Sequence, residues 1–134
     1  MRIAGAFIAN HAEWRESLLF ASGGYPEFLT VPAIPHDTSF MLVVIAEATH
    51  KELGHQHAIE VVMRAADGTE RPITTVTFAF GQVQQYVEGA PIYAPALIQM
   101  QVHVEHVGPT EFVIRREHTE LATVRLSFRL APNA

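Results

Sequence analysis

Phe40-Met41-Leu42-Val43-Val44-Ile45-Ala46 is an unbroken run of seven apolar residues, four of them β-branched or aromatic, and its reading decides the fold. A buried helix usually takes about 10–12 residues, and a half-buried strand alternates polar with apolar. This run does neither, and it predicts a central strand covered on both faces. Such a strand requires neighbours on both edges and a layer on each side.

The neighbours are found by working outward. Ile59, Val61, Met63 and Ala65 alternate along the segment that begins near His57. Asp67-Gly68 then supplies a strong hairpin signal, and the chain returns over Ile73–Phe80 with Val76, Phe78 and Phe80 on one face. Ile98, Met100, Val102 and Val104 share a face further on, as do Val124, Leu126, Phe128 and Leu130 near the end. Upstream, Ile3 to Ala9, Leu18 to Ala21 and Phe28 to Val31 read as strands around a break at Ser22-Gly23-Gly24-Tyr25-Pro26. Asn10 to Glu16 reads as one helical turn capped by Asn10, with Glu13 three residues on. Gly81 to Pro95 is polar and proline-containing and reads as the longest loop. About eight short strands with turn signals between them predict one domain over 1–134: an all-β, antiparallel two-sheet sandwich of immunoglobulin-like or related Greek-key topology.

Composition narrows the chemistry. With 134 residues the chain is long enough to bury one sizeable core, and with 0 cysteines it has no disulfide framework, thiolate metal site or cysteine nucleophile. A formal charge of -5 repels nucleic-acid phosphate, and no apolar run reaches the ~20 residues of a spanning helix. The expectation is a cytoplasmic protein with neither a nucleic-acid nor a membrane partner.

Histidine is the unusual count, at 8. The densest group is His50, His55, His57 and Glu60, in which His55 and His57 on a strand would point the same way, as two ligands of one metal must. The run Gly54-His55-Gln56-His57-Ala58-Ile59-Glu60 resembles the first metal motif of cupins, but the Glu comes too early and no second motif follows. His103, Glu105 and His106 read as the polar face of a strand, and His118 as a hairpin tip. Trp14, Tyr25, Tyr86 and Tyr93 fall in segments read as irregular, where an exposed ring would anchor a ligand or partner. Arg115, Arg125 and Arg129 read as a solvated stripe on the last hairpin. Ser22-Gly23-Gly24 lacks the flanking pattern of a nucleophile elbow, and the glycines form no phosphate-binding loop. These residues give no catalytic assignment and no cofactor.

Ala6-Phe7-Ile8-Ala9-Asn10-His11-Ala12-Glu13, followed by Leu18-Leu19-Phe20-Ala21-Ser22-Gly23-Gly24, resembles the opening of a family of small bacterial proteins described only as a domain of unknown function. The similarity runs on through Phe40 to Glu47, the hairpin at Asp67-Gly68, Phe112-Val113-Ile114 and Leu126-Ser127-Phe128, and departs at Gly81 to Pro95. It implies a compact β domain and brings no activity. The expectation is a non-enzymatic binding or assembly module whose partner is another protein or a second copy. The alternative is a metal-dependent small-molecule enzyme or binding protein using His50, His55, His57 and His103.

Overall fold

A computed structural model describes residues 1–16, 18–24, 26–81 and 88–132. Within them lie ten strands: β1 (Arg2–Ala9), β2 (His11–Arg15), β3 (Leu18–Ser22), β4 (Phe28–Val31), β5 (His36–Ala48), β6 (Gln56–Ala65), β7 (Glu70–Ala79), β8 (Ile92–Val104), β9 (Gly108–Arg116) and β10 (Thr119–Leu130). A 3-10 turn at His50–Glu52 accompanies them, and no described helix is long and apolar enough to cross a membrane. The protein is all-β.

The apolar run lies in the middle of β5, which extends it to 13 residues and pairs antiparallel with β1 on one edge and β8 on the other. Phe40, Leu42 and Val44 enter the main core, where they meet Ile59, Val61, Phe112, Ile114, Leu126 and Phe128 from the second sheet. Val43 points the opposite way and is nevertheless fully buried. The hairpin formed by β2 and β3 belongs to neither large sheet, and its β2 lies against β5 and β8. The apolar run thus faces the second sheet on one side, while on the other Val43 is flanked by Phe7 of β1 and Leu97 of β8.

The second sheet runs β4-β10-β9-β6-β7. At its centre Phe112, Val113 and Ile114 are all fully buried. Phe112 and Ile114 belong to the core shared by the sheets. Val113 pairs with Val62 on the outer face, between the Glu60–Arg115 and Arg64–Glu111 rows. Long arginine stems can cover apolar surface while their charged ends stay in water. At the turn between β6 and β7, Gly68 takes φ +88°, a left-handed geometry that glycine adopts without a Cβ penalty. The Thr69 N–H donates to Asp67 Oδ1 at 2.9 Å, and that bond holds the Asp67 carboxyl below the usual range.

Three readings of the sequence need correction. The Asn10–Glu16 segment contains strand β2 and no helical turn, because His11–Arg15 finds a pairing partner in Leu18–Ser22 and the chain reverses through Glu16 at φ +53°. β8 begins at Ile92, so Tyr93 and Pro95 belong to a strand that pairs with β5 as far as Ala48↔Ile92. The pairing of β4 with β10 is parallel, so the strands are not antiparallel throughout. Among the described residues β1 also lies beside β10 and β7 beside β8, which brings the two sheets together along both sides.

Candidate functional site

The histidines grouped in the sequence are separated by the fold. His50 lies on the exposed 3-10 turn and His55 in the exposed connection to β6. His57 stands on the inward face of β6, with its ring 6.0 Å from that of Phe78 and 5.4 Å from that of Phe80. Its Nε2 is enclosed and makes no hydrogen bond among the described residues. Burial among these rings pushes the His57 pKa below its ordinary value, against the opposing pull of Glu52. Glu60 is on the other face of the strand, where it accepts from Arg115 at 3.2 Å. No three His, Cys, Asp or Glu among the described residues are grouped so as to hold a metal ion.

The state of His57 has a consequence for stability. A histidine whose folded pKa is depressed adds stability that is complete above its unfolded value. It is lost as pH falls through that value, since the unfolded chain takes up the proton first. Thermal melts from pH 8 to pH 5 should therefore show a greater gain in Tm for His57→Phe at pH 5 than at pH 8. An equal gain at both ends would contradict a neutral, enclosed imidazole.

His103 acquires partners that linear reading did not supply. The β5–β8 register places it opposite Asp37, and its Nδ1 is 2.7 Å from Asp37 Oδ1. Its Nε2 lies 3.8 Å from Glu105 Oε1, and Arg71 meets the other oxygen of Glu105 at 3.2 Å. His103, Glu105 and Arg71 edge a cavity of about 170 Å³ whose apolar wall includes Met63, Val104 and Phe128. Every member of this chain of contacts is well exposed, so it is a solvated polar network across the end of the two sheets. His118 sits in the β9–β10 turn, as its sequence context predicts.

The arginine stripe proves to be a mixed-charge ladder. Arg64 Nε meets Glu111 at 3.1 Å and its Nη1 meets Glu120 at 2.7 Å, while Arg115 serves Glu60 and Glu70. Arg125 pairs with Glu111, and Arg129 donates to Thr30 Oγ1. These bonds raise the Arg64 and Arg115 pKa values further above their ordinary range and lower that of Glu111. The face carries both signs in alternation and offers no cationic patch.

A different surface stands out when apolar exposure is considered. Trp14, Leu18 and Phe20 on the hairpin are 43%, 58% and 38% exposed, and Tyr93 on β8 is 52% exposed. Tyr25 and Tyr86 lie outside the described residues. Across the hairpin Trp14 faces Leu19 and Ala12 faces Ala21, with Ala12 buried. Glu13 and Arg15 face Phe20 and Leu18 on the opposite side, and the Arg15 guanidinium lies 4.3 Å from the Phe20 ring centre. Leu18 and Phe20 were legible only as strand residues, because their exposure depends on whether another layer covers their face of the hairpin. This chain matches no protein-family model and none of the curated proteins with which it was compared.

Proposed function

We propose that this chain is an immunoglobulin-like sandwich that serves as a binding or assembly module, with the β2–β3 hairpin as its contact surface. The strand orders support that topology. In the immunoglobulin lettering β1-β5-β8 corresponds to A-B-E and β10-β9-β6-β7 to G-F-C-C′, with the chain crossing between sheets from β5 to β6, β7 to β8 and β8 to β9. The cysteine pair of antibody domains is absent from the sequence, and β4 adds a parallel strand beside β10. The hairpin then stands as an insertion between β1 and β4, outside both sheets.

Fold alone assigns no function, so the reading rests on the surface. The observation that carries it is the exposure of Trp14, Leu18 and Phe20 together on one two-stranded hairpin. A two-stranded hairpin is marginal in water by itself, and this one exposes large apolar side chains on both faces, Trp14 on one and Leu18 and Phe20 on the other, as interaction sites do. The resemblance to small bacterial proteins, a cytoplasmic location and a protein partner all belong to this proposal. The metal-dependent alternative gains nothing from the geometry, given that His57 and Glu60 lie on opposite faces of β6.

The test is photocrosslinking in cells. With p-benzoylphenylalanine at Leu18 of the full chain, an adduct to a protein is expected that the same group at Thr123, exposed on the outer face of β10, does not give. Equal labelling from both positions, or none, would overturn the reading.

A further inference from the structure

We propose that two copies of this chain associate by antiparallel pairing of β3 with β3 of the second copy, about a two-fold axis through Phe20. The inference rests on the assembly reading above and names the partner.

An edge strand presents unpaired amide and carbonyl groups, and folded proteins guard such edges with charges, prolines, bulges or covers. The other edges here have guards. β1 lies beside β10 and β8 beside β7, so each is flanked by the opposite sheet. β7 carries Glu70, Arg71 and Pro72. β4 is four residues long, between Pro26 and Pro32. β2 contains Glu13 and Arg15 and lies against β5 and β8. β3 is Leu-Leu-Phe-Ala-Ser, with no charge, no proline and no register shift against β2.

The same strand is complementary to itself. Antiparallel pairing centred on Phe20 sets Leu18 opposite Ser22, Leu19 opposite Ala21 and Phe20 opposite Phe20, in a closed isologous contact. Aromatic pairs directly opposite each other stabilise antiparallel strands, whereas like charges there destabilise them. Each copy carries a formal charge of -5, so an interface between copies must be locally neutral to form. β3 satisfies that condition, and beside it Glu13 lies 3.7 Å from Arg15 on the same hairpin. Two hairpins joined in this way form one four-stranded sheet, with more than the three strands an apolar face needs for independent stability. Trp14 and Leu19 fall on one face of that sheet, Leu18 and Phe20 on the other. The strand contributes only five residues, which places the contact among small, weak interfaces.

Sedimentation equilibrium of the full chain up to about 500 μM tests the proposal. A reversible dimer is expected, with a Kd on the order of tens of micromolar for a contact of this size. Phe20→Lys sets two ammonium groups opposite each other, and should raise that Kd at least about tenfold while leaving Tm unchanged. Phe20→Cys introduces the sole thiol in a chain with 0 cysteines. On the axis the two Cα atoms would be about 4.5–5.5 Å apart, within disulfide range. Oxidation should give a covalent dimer from Phe20→Cys and none from Thr123→Cys. A strict monomer, or a dimer indifferent to Phe20→Lys that yields no disulfide at position 20, overturns the proposal. In the second case the chain still assembles, and in either case a protein crosslinked from Leu18 would leave the assembly reading standing.

Discussion

Phe112→Ala should cost about 3–5 kcal/mol, the range for emptying a buried aromatic site, and should lower Tm by roughly 10–20 °C in a domain of this size. Phe112 is fully buried on β9, between Met63 of β6 and Val124 of β10 in the register, and its ring meets Phe40 edge-on with centroids 5.5 Å apart. Phe40 belongs to β5 of the first sheet, so this ring pair joins the two layers at the centre of the core. Truncation removes apolar area and leaves a void that β-strands held by long ladders close only in part. The result is a large fraction of the 5–15 kcal/mol that normally separates folded from unfolded domains. Phe28→Ala provides the contrast. Phe28 is 48% exposed, and its truncation should cost no more than about 1 kcal/mol. Chemical denaturation of both variants measures the difference, and equal losses would show that the sheets are not joined through Phe112.

The prominence of Phe112 was legible in outline. Phe112-Val113-Ile114 reads as a short apolar strand, and Phe40–Ala46 as a strand covered twice, because local residue types report burial wherever both faces of a strand are closed. Alternation was as informative in Ile98, Met100, Val102 and Val104, all of which are buried, while their neighbours Gln99, Gln101 and His103 are exposed. The hairpin was less legible. Asn10-His11-Ala12-Glu13 carries a capping-box spacing, and nothing local shows that Leu18–Ser22 will fold back to pair with His11–Arg15.

The candidate sites were the least legible part, because chemistry depends on register. His57 and Glu60 are three residues apart, and a strand sends them to opposite faces. Asp37 and His103 are 66 residues apart and meet at 2.7 Å, because β5 and β8 stay in step along their whole length. The alternation of glutamate and arginine on the outer face of the second sheet likewise emerges only when Glu60 is set beside Arg115 and Arg64 beside Glu111. The exposure of Leu18 and Phe20 has the same origin: a strand formula states which residues share a face, and leaves open which sheet, if any, covers it.

Val43→Asp should be the other severe substitution, with a loss of about 4 kcal/mol, and it bears on the contact surface directly. Val43 lies between Phe7 of β1 and Leu97 of β8 on the outward face of the first sheet, and it is fully buried. A carboxylate there has to be desolvated or has to force its surroundings open, and both are costly. The lighter structure beside β5 is the two-stranded hairpin, with five residues in each strand and with β2 against β5 and β8. Release of the hairpin is therefore expected before the sheets separate, since local opening follows the region with the fewest buried contacts. The chain has one tryptophan, Trp14, and it is on β2. Its fluorescence should shift to the red and lose anisotropy in Val43→Asp at temperatures where far-ultraviolet circular dichroism still reports intact sheets. Val43→Ala keeps the surface apolar and should leave the Trp14 signal unchanged up to the global melt. If Trp14 in Val43→Asp changes only together with the sheets, the hairpin is an integral part of the domain; a separate, earlier change identifies it as a docked element whose apolar residues are held in place by the outward face of β5.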